Sequence, residues 1–316
     1  MPDEIISHQI LVNRFGAKVG RDAVPVLRKL RDQITARVLL EGDTIKTKRQ
    51  LTAILRDVNQ SLELALGTYT KEVRDELGEF LAEEIDFNAG TLASPQLPPK
   101  KTIFRDVLNT PMNLDGQSVT LAQAEKQLTD STKQKINGYI SNGYYQGQPT
   151  REIAANMRQA LNTTKANTEA VARTAVNHLA NESRNAIYQA NDDLVQGYVI
   201  VATLDVRTSD ICKDFDGRQV LYSDSYQPMP PFHYNCRTTT QPWFVDEDPP
   251  TDETYYSWLK RQPTDVQNEA LGSKKAAEFR AGNLKGDDLK GAAANRLNQP
   301  LSLDKLKKKR RNIDDI

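Results

Sequence analysis

The sequence predicts a mainly α chain with a small irregular β unit, an α+β architecture. Three observations point there. Apolar residues recur at three- and four-residue steps through most of the length, the period shifts to β-branched runs between 198 and 244, and proline-rich stretches punctuate the chain.

The N-terminal region, 1–88, reads as helices. With Asp22 as a cap and Pro25 in the first turn, Leu27, Leu30, Ile34 and Val38 form one stripe. Leu51, Ile54, Leu55, Val58 and Leu62 form a second, and Val73, Leu77, Phe80, Leu81 and Ile85 a third, each explained by core packing. "NAGTLASPQLPPKK" then interrupts the pattern, so a Pro-rich linker is placed at 89–103. A domain over 104–244 follows. Its helices carry Leu121, Leu128, Ile136 and Ile140, then Ile153, Met157 and Leu161 after a capping Thr150, then Val171, Ala175, Leu179 and Ile187.

"YVIVATL" (198–204), "RQVLY" (218–222) and "RTTTQPWF" (237–244) are the strand candidates of the β unit at 198–244. The extension 245–316 returns to helix in "TYYSWLKRQ", "KKAAEFRAG" and "SLDKLKKKRR", with Ser302 as a cap for the last.

Composition limits the functional classes. A chain of 316 residues with 38% hydrophobic and 27% charged residues can bury about two cores under a polar surface. Formal net charge is zero, which argues against a free DNA-binding protein, as does the lack of a helix-turn-helix pattern. Charge is uneven, with twelve basic residues against six acidic ones from Lys274 onward. The run Lys307, Lys308, Lys309, Arg310 and Arg311 is expected to stay loose unless an acidic surface or phosphate neutralises it, and is a candidate nucleic-acid or partner contact. No run of about 18 apolar residues suggests a membrane span, and the early acidic residues do not suggest a signal peptide. Two cysteines cannot frame a disulfide fold, which suits a reducing cytoplasm during synthesis.

Those two cysteines frame the main question. Cys212 lies in "LDVRTSDICKDFDG", and "PPFHYNCR" places His233 three residues before Cys236. Zinc takes such ligands in tetrahedral geometry, which makes Cys212, His233 and Cys236 candidate metal ligands. A structural site wants a fourth ligand, and none stands out. Two buried thiols in a packed core, a disulfide formed outside the cell, and a His233 that satisfies loop carbonyls under the Pro-rich turn are the competing readings. No zinc-deaminase, metalloprotease, phosphate-loop or nucleophile-elbow motif is present, so no catalytic residues are assigned and the chain is not expected to be an enzyme.

The same residues resemble a known signature. Asp205, Arg207, Thr208, Cys212, Asp216 and Gly217, followed by Pro231, His233, Asn235, Cys236 and Arg237, are similar to the pattern of phage Mu F-like minor head proteins, also called head morphogenesis proteins. The similarity runs from about Ile136 to Leu306 and includes "INGYISNGYYQGQPTREIAANMRQAL" before the signature and "YYSWLKRQPTDVQNEALG" after it. Members of the family often carry Cys at the positions of Ser209 and Thr238, and Glu at that of Ala175, and this chain departs from them there. The resemblance implies a virion component at the portal vertex of a tailed-phage head, made in the host cytoplasm, that assists assembly and genome packaging or delivery. Its implied partners are the portal, capsid or scaffold proteins and genomic DNA. A host-delivered effector, such as a metal-dependent hydrolase or an ADP-ribosyltransferase, is the alternative. Within the signature, the planar fork of Arg237 is expected to brace the loop against Asp205 or Asp216.

Overall fold

The computed structural model describes residues 2–92, 95–203, 207–249 and 255–314. Among them are eleven helices and five short strands, so the chain is mainly α with a small β unit, as its periodicities predict. It divides into two compact units. One comprises Met1–Lys18, Leu77–Leu121 and Arg173–Ile316, the other Val19–Glu76 and Ala122–Ala172.

Long helices dominate, and the first corrects the sequence reading. Helix α1 runs unbroken from Pro2 to Leu39 with Pro25 inside it, so Asp22 does not cap a new helix. The preceding stretch buries Ile5, Ile10, Leu11, Phe15 and Val19, and that apolar burial outweighs the one backbone hydrogen bond Pro25 forfeits. The stripes assigned to two further helices likewise belong to one, α2 (Lys48–Gly90). The later segments starting at Thr150 and Asn167 form another, α5 (Thr150–Gln189).

The unit containing Val19–Glu76 and Ala122–Ala172 is wholly helical, built from parts of α1, α2 and α5 with α4 (Leu121–Tyr145). Leu30, Ile34, Ile54, Val58, Leu62, Ile136, Ile140, Ile153 and Met157 are buried there. Polar contacts join its segments: Tyr69 Oη donates to Val19 O at 3.0 Å, and Arg74 pairs with Glu125. At the start of α5, Thr150 N–H donates to Asp43 O.

The other unit holds the β structure. After α3 (Lys100–Asn109), strands β1 (Met112–Leu114) and β2 (Gln117–Val119) pair antiparallel. Asp115 and Gly116 connect them with φ of 53° and 80°, the left-handed pair that an Asp-Gly hairpin turn requires. That dipeptide was a readable signal which the proline-centred reading passed over. Strands β3 (Val195–Val201), β4 (Gln219–Leu221) and β5 (Thr239–Phe244) form a three-stranded antiparallel sheet in the order β4-β3-β5, with a bulge between Val195 and Gly197. They match the three strand candidates.

The same unit ends in short helices: α7 (Tyr255–Arg261), α8 (Thr264–Leu271), α9 (Ser273–Arg280), α10 (Gly286–Leu297) and α11 (Leu303–Asp314). Trp258, Leu259, Ala270, Leu271, Ala293 and Leu297 close a core on Ile6 and Ile10 of α1. No helix among the described residues is long and apolar enough to cross a membrane.

Candidate metal centre

Cys212 is carried by a one-turn-plus helix, α6 (Asp210–Phe215). Ser209 precedes that helix in extended conformation, and its hydroxyl makes no capping bond. Past α6, the Asp216-Gly217 pair returns the chain to the sheet. Asp216 Oδ1 accepts from Ala202 N–H at 2.7 Å, and Gly217, at φ 75°, donates its N–H to Ile200 O at 2.9 Å. Thr208 Oγ1 donates to Thr203 O across the neck of the same loop. These contacts explain why the signature needs Thr, Asp and Gly: they fix where Cys212 stands. Asp205 lies outside the described residues.

His233 and Cys236 come from the loop ahead of β5, which is pinned from two sides. Asp115 N–H of the hairpin turn donates to Phe232 O at 3.0 Å, and Asn235 N–H donates to Thr174 Oγ1 of α5, also at 3.0 Å. Asn235 holds φ 62°, a conformation that Asn tolerates better than most residues. Cys236 N–H closes the turn on His233 O.

The structure thus brings Cys212, His233 and Cys236 together. Cys212 Sγ lies 3.1 Å from His233 Nε2 and 3.7 Å from Cys236 Sγ, and the three ligand atoms all lie within 4.8 Å of one another. Both thiols are free and each is 2% exposed, packed in one core with Tyr198, Ile200, Val220 and Phe232. His233 Nδ1 donates to Tyr234 O at 2.8 Å, which leaves the Nε2 lone pair facing the sulfurs. Burial opposes charge on Cys236. Hydrogen bonds from Cys212, from the backbone at Phe232 and Thr238, and from the Thr238 hydroxyl outweigh it and bring the thiol down to about 6. Cys212 moves up, first through its bond to Cys236 and then through burial, and His233 is raised by its bond to Cys212.

The donor types suit zinc, although the 3.1 Å edge from Cys212 Sγ to His233 Nε2 is shorter than the about 3.6 Å of a tetrahedral zinc site. Two Zn–S bonds of about 2.3 Å at the tetrahedral angle separate their sulfurs by about 3.8 Å, close to the spacing seen here. An imidazole whose other nitrogen donates to a backbone carbonyl is the usual outer support of a metal ligand. Ser209, whose hydroxyl neighbours Cys212, lines with His233 and Cys236 a cleft of about 370 Å³. Arg207 and Arg237 line the same cleft.

One set of supporting residues escaped the sequence reading. Thr174, Asn177, Asn181 and Arg184 recur at steps of three and four along α5 and are all buried. Asn177 and Asn181 donate to Thr238 O, while Arg184 donates to Thr240 O at 3.1 Å and to Asn88 Oδ1 at 2.9 Å. A polar stripe at helical spacing, beside the apolar one, was the available signal. It anchors β5 and the loop that carries Cys236.

The cationic run at the C-terminus is the helix α11, and it meets carboxylates of its own chain. Lys307 Nζ lies 3.1 Å from Glu83 Oε1, Arg310 Nη1 lies 3.4 Å from Glu83 Oε2, and Lys309 Nζ lies 2.5 Å from Glu269 Oε2. Leu306 is fully buried. Lys308 is exposed, and the side chain of Arg311 lies outside the described residues.

A mainly helical chain with a three-stranded sheet closed by a buried Cys-His-Cys cluster is the class these features define. Residues 134–241, a segment that holds the whole cluster, are similar to the family described as Phage Mu protein F like protein. Searches of curated proteins and of solved structures returned no match.

Proposed function

We propose that the chain is a minor head protein of a tailed phage that binds the portal vertex and assists head assembly and genome packaging or delivery. The match of residues 134–241 to phage Mu F-like proteins carries this reading. The site supports a structural role, because its two thiols sit in the core of the β unit and its outer bonds run to backbone rather than to a reactive group. Capsid or scaffold proteins are the further protein partners, genomic DNA is a third, and the place of action is the head near the portal.

Within that role, Cys212, His233 and Cys236 hold a zinc ion that clasps α6 to the loop before β5. The match of the sulfur spacing to tetrahedral geometry supports it. Mass spectrometry of heads assembled with and without the portal tests the main reading. The chain should be present in the former and depleted in the latter. Its absence from finished heads, with no binding to purified portal, would overturn it.

A further inference from the structure

A second cavity, of about 410 Å³, is lined in part by Pro230, Pro231 and Phe232 of the loop that carries His233. That volume is within the range of small-ligand pockets, about 300–1,000 Å³. Its walls are mixed: Tyr198 from β3, Phe215 from α6, Phe232 from the loop, and Met112 and Met229 supply apolar and aromatic surface among polar groups such as Asn113 and His178. Tyr226, 55% exposed, is at the rim.

Against these walls stand two acceptors from α5. Glu182 is the one carboxylate among the described lining residues, and among the described residues no cation pairs with it. Asn185 Oδ1 is buried without a hydrogen-bond partner. The nearby guanidinium of Arg218 lies instead over the Phe215 and Tyr226 rings, 5.5 and 5.1 Å from their centroids. Burial alone raises the Glu182 carboxyl to about 7. A carboxyl withdrawn from water without a partner costs folding free energy, so a ligand that supplies the missing donors recovers it. Aromatic faces around a carboxylate favour a cation, and the apolar part of the walls favours a hydrocarbon stem.

We infer that this cavity binds an organic cation with an apolar stem, an alkylguanidinium or alkylammonium, seated on Glu182 and Asn185. The group arrives either as a free amine or as the Arg or Lys side chain of a partner segment. The site shares Tyr198 and Phe232 with the core around the metal cluster but uses none of its ligands, and it does not depend on the role proposed above.

The full chain, labelled with ¹³C at its methionine methyls, tests it by NMR titration. Met112 and Met229 report the cavity, and buried Met157, in the other compact unit, is the control. n-Butylguanidinium and n-butylammonium should shift the first two methyls saturably and leave the third in place, while neutral n-butylurea should bind more weakly. Glu182→Gln, checked for folding by its unperturbed Met157 signal and thermal melt, should weaken the cations by about tenfold or more. A short glycine peptide carrying one Arg that binds tighter than n-butylguanidinium indicates a protein source, and weaker binding indicates a free amine. Equal affinity for n-butylurea, full cation binding by Glu182→Gln, or no saturable shift with any probe would overturn the inference.

Discussion

The sulfurs of Cys212 and Cys236 stand 3.7 Å apart although 24 residues separate them, one on the helix α6 and one in the loop before β5. A disulfide needs about 2.05 Å, so the pair is two free thiols, and the spacing suits either an S–H···S contact or a tetrahedral zinc edge of about 3.8 Å. Protein purified without chelator should carry about one zinc per chain, and Cys236→Ser should remove it and lower Tm. A metal-free protein whose Tm is indifferent to chelator would leave a dry thiol cluster.

Ser209 lines the cleft beside that cluster. Ser209→Cys should supply a third thiolate beside Cys212 and raise zinc affinity by about tenfold or more. Competition with a metal-sensitive dye measures it. Unchanged affinity would place Ser209 outside ligand reach.

Gly197 of β3 is fixed by a close approach. A Cβ there would meet Val220 O at 2.1 Å and Leu221 Cα at 2.9 Å, both backbone atoms of β4. Gly197→Ala should therefore cost about 3 kcal/mol, at the upper end of overpacking effects, and displace β4. Denaturant unfolding checks it, and a loss under about 1 kcal/mol would mean that the strands separate easily.

His178 and Glu182, one turn apart on α5, should oppose each other in the pH dependence of stability. Burial lowers His178 from 6.5 to about 4, against backbone hydrogen bonds at Val107 and Thr110 that raise it. The unfolded chain takes up that proton first, so stability is lost as pH falls from 6.5 towards 4, by about 3 kcal/mol at most. Glu182 is raised from 4.5 to about 7, so the folded chain keeps a proton that the unfolded chain releases, and stability is lost as pH rises from 4.5 to 7, again by about 3 kcal/mol at most. Near-flat stability is expected for the parent chain over that window. Glu182→Gln should expose a steep acid loss and His178→Asn the opposite slope. Parallel profiles for the two variants would refute the opposition.

Glu269 gathers Arg14, Arg296 and Lys309 around one carboxylate. Arg14 is 6% exposed, and burial, then Arg296, already lowers it to about 10. Glu269→Gln should cost about 3 kcal/mol by leaving buried guanidinium charge uncompensated. It should also loosen α11, read as faster proteolysis after Leu301. If DNA is bound there, changing the five cations from Lys307 to Arg311 to Ala should flatten the salt slope by at most about two, because each neutralised phosphate contributes about 0.9 and three of the cations already face carboxylates.

Much of this was legible in the chain itself. The strands could be read because the apolar, β-branched run Val199–Val201 suits a buried strand, and apolar residues recurring at three- and four-residue steps located the helical stripes. The signature brought Cys212, His233 and Cys236 into one hypothesis, because their spacing and neighbours resemble one family pattern together. Tertiary structure decided what depends on partners distant in sequence. Pro25 continues a helix because the apolar residues around it are buried, and the Thr174–Arg184 stripe is polar yet internal because β5 supplies its acceptors. The run from Lys307 becomes an ordered helix because Glu83 and Glu269, 224 and 38 residues before it, lie within reach. Local propensity acts over a few residues and is written in the sequence, whereas neutralising a charge or filling a buried hydrogen bond requires knowing which distant group the fold brings near.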